Sequence, residues 1–429
     1  MKFPGIILSA LLALLPFATP ALEAARPRSA TQILVERNDS DGPLASCVWG
    51  FFAVNLKGDT LVNLNGARRM IPASNLKLIT TGAALLSLGE NYSYKTTFAT
   101  EGSVRDSVLL GNLYIIGGGD PLIGELFPYL PSPEETFGRW SKVLSDNAIR
   151  RIDGEIIGDG SWFKGPLRNG DWGLEDYETR DGVVPAGLTW RGKMGDSLPD
   201  SPSTAALHYR KWLEQQGVCG QADAPSEGMA HPFPVDSLTV LGTVESLPLR
   251  DLIRIANCQS DNFIAETLLK TLGKRSEGDD DFPASITALR KALAPIGLMA
   301  LSGQMRFADG SGLARKNSVS PEFMVSFLRG MYRSRAGKTF LASLPFPGEP
   351  KTTLDKRLPK RPWALRHRIR MKSGSMAGVR CFSGYILSSD GKPENTIVFS
   401  LLTNNAASQG GKQIWPLIDE MIESLASEN

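Results

Sequence analysis

Ser74 and Lys77 stand three residues apart at the head of the stretch IPASNLKLITTGAALLSLGE, residues 71–90. Pro72 suits a helix start, Ser74 and Asn75 are good N-cap residues, and an apolar run follows from Leu76 to Leu88 before Gly89 stops it. On a helix, positions three apart share a face. A hydroxyl beside an amine is one way to make a nucleophile without histidine. S-x-x-K alone is a loose pattern, and an N-capped core helix with a stray lysine would also produce it. The chain carries its own decoy, since Ser161 and Lys164 have the same spacing. There Gly165 and Pro166 follow at once and deny a helix.

Two further short patterns lie downstream in order: Ser260-Asp261-Asn262 and Lys372-Ser373-Gly374. Together the three sites offer a hydroxyl to attack a carbonyl, an amine to take its proton, and a second hydroxyl–amine pair to serve the leaving group. Lys77 can accept that proton only while its amine is neutral, which burial and a neighbouring cation such as Lys372 would favour. Ser260 could relay a proton to the leaving amine, and Asn262 could hold Lys77 and a substrate amide. Gly374 would let a substrate backbone lie close along its strand. The amides of Ser74 and Ser375 could form an oxyanion hole. Ser145-Asp146-Asn147 repeats the middle pattern, but it ends a helix and needs only a structural explanation.

The elements that must position these groups can be read from periodicity and turn signals. Two β-rich runs in 45–64 flank the turn Lys57-Gly58-Asp59, and Asn65-Gly66 leads into the Ser74 helix. Strands are expected over 94–99, 107–116 and 151–157, with a helix over 134–147 between them. The glycine-rich GGGDPLIGE, 117–125, lacks the G-K-[ST] ending of a phosphate loop and reads as a turn. Residues 161–203 are loop-like, and 203–216 form an amphipathic helix capped by Gly217. Helices follow at 248–257, at 261–272 (closed by Gly273) and at 281–296. A strand and turn come next at 304–313, then a helix from Pro321 to Arg333 with Ser320 as N-cap. Strands at 368–372, 381–388 and 395–403 and a last helix at 412–427 complete the chain. Strands flanked by helices at the two ends suggest one α/β unit, a mixed sheet with helices on both faces, built from 26–90 and 245–429, with 91–244 inserted.

Composition narrows the functions. The chain has 429 residues, enough for two or three domains, and 42% apolar residues can supply ordinary cores. A formal net charge of +2 gives no reason to expect a nucleic-acid partner. His208, His231 and His367 are far apart and no C-x-x-C or H-x-x-x-H occurs, so neither a metal site nor a cofactor is expected. Lys2, the apolar run 6–17 and the small residues of 19–25 read as a signal peptide, cleaved within 21–25. The apolar run is short for a membrane span. Export leaves Cys47, Cys219, Cys258 and Cys381 free to pair, while buried thiols are an equal alternative.

The three patterns in order, with PASNLKLITTGAALLSLG, LLGNLYIIGGGDPLI, IDGEIIGD, SDNFIAETLL, FADGSGLARKN and KSGSMAGVRCFSGYI, resemble the class C low-molecular-mass penicillin-binding proteins. These are exported D-alanyl-D-alanine carboxypeptidase/endopeptidases. The separation of about 180 residues between Lys77 and Ser260 suits that family's large insertion. The resemblance implies a penicillin-binding, serine β-lactamase-like domain with an antiparallel sheet flanked by helices and a β-rich insert. It implies Ser74 as acyl-enzyme nucleophile and Lys77 as its base, with Ser260, Asn262 and Lys372 completing the catalytic set. Asp261, Ser373, Gly374 and Ser375 would contact substrate, and 309–313 would lie near the cleft. Peptidoglycan stem peptides are the implied substrate, β-lactams the implied covalent inhibitors and the periplasm the implied location. Peripheral contact with the membrane surface is compatible with this. Ser373 stands where the family usually has threonine, keeping the hydroxyl, and 161–203 is shorter and less regular than the family's inserts. A serine β-lactamase, or a catalytically silent peptidoglycan-binding or β-lactam-sensing protein, is the alternative.

Overall fold

A computed structural model describes residues 28–428 except 125–130, 167, 178–181, 183–184, 192–201, 220–236 and 407–410. The expected signal segment and His231 lie outside the described residues. The first and last strands of the chain meet. β1 (Val48–Asn55) pairs with β12 (Ile397–Asn404) over eight positions, from Val48 opposite Asn404 to Asn55 opposite Ile397. Around them stand β10 (Ile369–Met376), β11 (Val379–Ile386) and β2 (Thr60–Leu64), in the order β10-β11-β12-β1-β2. Every neighbouring pair is antiparallel, so the mixed sheet expected from the element pattern is corrected. The antiparallel sheet implied by the family resemblance is what forms, because hairpins supply β1–β2 and β10–β11.

All eight residues of β12 are buried, because both faces of the sheet are covered. Val398 and Leu402 face one apolar cluster, while Ile397, Phe399 and Leu401 face another. The second cluster is closed by α1 (Ala30–Ser40), which the sequence reading missed, and α13 (Gly411–Ser427). The first is closed by α2 (Leu76–Leu88), α6 (Leu249–Gln259), α7 (Asn262–Ser276), α8 (Phe282–Ala292) and α10 (Pro321–Arg333). α2 is buried from Leu76 to Leu86 on every side, Lys77 included, which makes it the central helix. α7 runs past Gly273 to Ser276 instead of stopping there. A Cβ at that glycine would collide with the Ser285 hydroxyl and lie 2.7 Å from the Asp279 carbonyl oxygen, so Gly273 serves close packing against α8.

The insert has its own sheets. One is mixed, in the order β8-β6-β3-β9, from β8 (Ile156–Asp159), β6 (Leu113–Ile116), β3 (Lys95–Thr100) and β9 (Thr239–Glu245). The other joins β4 (Ser103–Arg105), β5 (Val108–Leu110) and β7 (Arg151–Ile152). The single strands expected over 107–116 and 151–157 are therefore each two, one in either sheet. The chain steps between sheets at Gly111, which has φ +138° and so occupies a region closed to other residues. α3 (Pro133–Asp146) and α5 (Pro202–Gln215) pack on the mixed sheet through Phe98, Phe137, Trp140, Trp190 and Tyr209. No helix among the described residues is long and apolar enough to cross a membrane. All four cysteines are thiols, Cys47 half-buried and the others buried.

Candidate active site

Ser74 lies not on a cap but in a tight 3₁₀ turn, Ala73–Asn75, that feeds α2. The expected side-chain cap is absent because both candidate residues are used otherwise. Asn75 Nδ2 donates to the carbonyls of Lys372 (3.2 Å) and Cys381 (3.3 Å), pinning the head of α2 to β10 and β11. The Ser74 hydroxyl accepts from Lys77 Nζ at 3.0 Å. Ala73 has φ +45°, a left-handed conformation that costs an L residue about 1–2 kcal/mol. Strain of this kind collects where a backbone must present one side chain.

Lys77 is fully buried, and its Nζ also donates to Asn262 Oδ1 at 2.6 Å and to the Ser311 carbonyl at 2.8 Å. Asn262 is the first residue of α7. Ser260 stands at the end of α6 with φ +60°, and Asp261 caps α7 through Ile264 N at 2.9 Å. Left-handed Ser260 turns its hydroxyl to Lys372, whose Nζ donates to it at 2.9 Å and to the Ser373 carbonyl at 2.7 Å. Three hydrogen bonds thus join Ser74, Lys77 and Asn262 in one group and Ser260 and Lys372 in another. Burial, and then the charge of Lys77, hold the Lys372 amine well below its usual 10.5, against a smaller opposing pull from Cys258.

β10 forms the remaining wall and is the edge strand of its sheet. A Cβ at Gly374 would sit 2.8 Å from Asn75 Nδ2 and 2.9 Å from the Pro72 carbonyl oxygen, so glycine lets β10 approach the Ser74 turn. Ser373 is half-buried and donates to Thr353 Oγ1 at 2.9 Å; Ser375 is exposed on the same edge. Asp261 departs from its expected substrate contact. Its side chain is buried, with one oxygen on the Ile264 amide and the other on Arg191 Nη2 at 2.7 Å. It belongs to the scaffold under the cleft.

The floor is the turn Asp309-Gly310-Ser311-Gly312. The strand expected ahead of that turn does not form; only an isolated bridge from Arg306 to Ser318 stands there, because the backbone beside it bonds to side chains. Asp309 accepts from the amides of Gly312 (2.9 Å) and Ala314 (2.6 Å), and Asn317 Oδ1 accepts from Ala308 N at 2.7 Å. Glu266, on α7, accepts from Ser311 N at 2.7 Å and Gly310 N at 3.1 Å. Burial and then Asp309 push Glu266 up to about 8, against the pull of those hydrogen bonds. Gly312 has φ +87°, and any side chain there would strike the Ala73 carbonyl. Sequence reasoning missed Asn75, Glu266 and Thr353. An acid among the apolar residues of SDNFIAETLL was the visible signal for Glu266.

The profile of the D-Ala-D-Ala carboxypeptidase 3 (S13) family matches residues 32–196 and 198–425. The chain belongs to that family. S13 membership places it among the D-Ala-D-Ala carboxypeptidase hydrolases, as the three patterns led one to expect. It is 25% identical over 468 residues to the D-alanyl-D-alanine carboxypeptidase of Actinomadura sp. (strain R39), covering 90% of this chain and 84% of that one. Penicillin binding protein 4 (dacB) from Haemophilus influenzae has the same fold, with a TM-score of 0.73 at 19% identity, covering 92% of this chain and 98% of that one. A predatory endopeptidase from Bdellovibrio bacteriovorus, solved acylated by penicillin G, aligns with a TM-score of 0.53 at 16% identity, over 88% and 91%. The decoys lie apart from the Ser74 cluster. Ser161 and Lys164 lie in a turn, and Ser145 to Asn147 end α3.

Proposed function

We propose that this S13 chain is an exported serine DD-peptidase that acts in the periplasm on peptidoglycan stem peptides. The observation that carries the reading is one buried amine, Lys77 Nζ, within hydrogen-bond reach of both Ser74 Oγ and Asn262 Oδ1, beside a second pair, Lys372 and Ser260. Segments 26–90 and 245–429 are the peptidase domain, and 91–244 is the insert. The substrate peptide lies along the free edge of β10, where Ser373, Gly374 and Ser375 meet it. Ser74 Oγ attacks the carbonyl carbon of the D-Ala-D-Ala bond while its proton passes to the neutral Lys77 amine. The amides of Ser74 and Ser375 receive the charge that develops on the carbonyl oxygen. Collapse of the adduct breaks the C–N bond. The leaving D-alanine amine takes a proton through the Ser260 hydroxyl, resupplied by Lys372, and water then hydrolyses the Ser74 ester.

A β-lactam presents the same carbonyl in a ring, so it acylates Ser74 and its leaving group stays tethered. The same chemistry on a D-alanyl crosslink makes the enzyme an endopeptidase. Incubation with purified muropeptides tests the reading. It predicts release of free D-alanine from pentapeptide monomers and conversion of crosslinked dimers to monomers, both lost in Ser74→Ala. Pentapeptides left intact by the wild-type protein would overturn it.

A further inference from the structure

Each of the two acceptors that flank Lys77 stands close to an aspartate. Asp261 precedes Asn262, and Asp309 begins the turn that carries the Ser311 carbonyl. Each aspartate takes one further hydrogen bond from a buried donor far away in sequence. Arg191 Nη2 donates to Asp261 Oδ2 at 2.7 Å, and Trp172 Nε1 donates to Asp309 Oδ2 at 2.9 Å. Arg191 and Trp172 are each 7% exposed, and both lie between β8 and α5, inside the insert.

Neighbouring contacts fix these two donors. Arg191 also donates to the Pro121 carbonyl at 3.1 Å, and its guanidinium lies 4.8 Å from the centre of the Phe263 ring. Beside Trp172, Asn169 Nδ2 donates to the Ala308 carbonyl at 2.9 Å. The insert therefore reaches beneath the cleft at two points, and each contact ends within two residues of a group that holds Lys77.

We propose that the insert positions the catalytic lysine. Arg191 through Asp261, and Trp172 through Asp309, hold the Asn262 and Ser311 acceptors that aim the Lys77 amine at Ser74. The inference rests on Ser74 as nucleophile and Lys77 as base, and it gives the insert a part in acylation by every substrate. A lysine amine rides on a flexible four-carbon stem, so its place is set by what receives its hydrogen bonds. Misplacement by about 1 Å can cost on the order of 10²-fold in rate. Charge-assisted bonds such as Arg191–Asp261 are the stronger kind, and breaking that one leaves a carboxylate buried without its cation. Arg191 and Trp172 are positioning residues. An insert that served only to reach crosslinked strands would leave a small β-lactam unaffected.

The test uses the full mature protein and benzylpenicillin at a series of concentrations, with adduct formation followed by intact mass. Concentration dependence separates the limiting acylation rate from the half-saturating concentration, and final adduct amplitude counts the folded sites. Arg191→Met is expected to lower the limiting rate about 50-fold and Trp172→Phe about fivefold, with amplitude and half-saturation near wild type. Arg191→Lys should recover part of the rate by keeping a cation at Asp261. Variants that lose amplitude but acylate at the wild-type rate would overturn the inference, because that is loss of fold alone. A raised half-saturating concentration with an unchanged rate would overturn it too, since it marks a binding wall. In both cases Ser74 chemistry would stand. A wild-type protein that forms no Ser74 adduct would overturn the inference together with the reading beneath it.

Discussion

α7 has one buried lysine beside its first residue and another half-way along it, and the two places treat the amine in opposite ways. Lys270 meets Asp280 at 2.8 Å, with both side chains almost fully buried. Asp280 also accepts from the amides of Lys164 (2.7 Å) and Gly165 (2.9 Å). Burial alone would raise the pKa of this carboxylate; the Lys270 ammonium and the two amides overcome it, and the net shift is downward. At the start of α7, Lys77 meets a hydroxyl, an amide oxygen and a carbonyl, and Lys372 meets a hydroxyl and a carbonyl. The charge of Lys77 acts on the Lys372 amine. An amine against a carboxylate is fixed as half of an ion pair. An amine among neutral acceptors beside another cation is one whose proton can be moved.

The difference can be broken by exchanging the expected outcomes. Lys372→Met should lower the acylation rate about 10³-fold while leaving the fold as stable or more so, because it removes a buried cation from a site with no carboxylate against it. Penicillin acylation and urea unfolding measured on one preparation check both halves. Asp280→Ala should do the reverse. Leaving Lys270 uncompensated should cost about 3–5 kcal/mol, with the acylation rate per folded molecule within about threefold of wild type. If Asp280→Ala kept its stability and lost acylation, the two lysine sites along α7 would not be divided as described.

A smaller effect follows from pH. The Lys372 amine is depressed in the folded protein, so between that lowered value and 10.5 the unfolded chain binds more protons there than the folded one. Raising the pH through this window therefore stabilises the fold, by about 1.4 kcal/mol for each unit of depression. Urea unfolding at pH 8 and pH 10 should show a larger gain for wild type than for Lys372→Met; equal gains would mean that Lys372 titrates normally. Smallest of all is Ser373→Thr. It keeps the hydroxyl that bonds Thr353 and should change acylation by no more than about threefold.

Local features were legible in the sequence. The α2 helix, the turn at Lys57-Gly58-Asp59, the capped α10 and the three short patterns all depend on neighbours a few residues apart. What escaped depends on partners far away. Asn75 fails as a side-chain cap because it is drawn to carbonyls about 300 positions on, at Lys372 and Cys381. Asp261 reads as a cleft residue until Arg191, 70 positions earlier, is seen to bury it. The strand expected ahead of the Asp309 turn fails because Asn317 supplies the Ala308 amide with an acceptor that no pattern of apolar residues reveals. The mixed sheet was misplaced for the same reason. Strand pairing is a long-range property, and the mixed sheet belongs to the insert.

The central claim is that Ser74 is the residue that becomes acylated. Intact-mass spectrometry with and without benzylpenicillin, followed by peptide mapping, addresses it directly. The account predicts one persistent adduct per chain, located on the peptide that contains Ser74 and absent from Ser74→Ala. An adduct on another residue, or none on a folded wild-type protein, would contradict it.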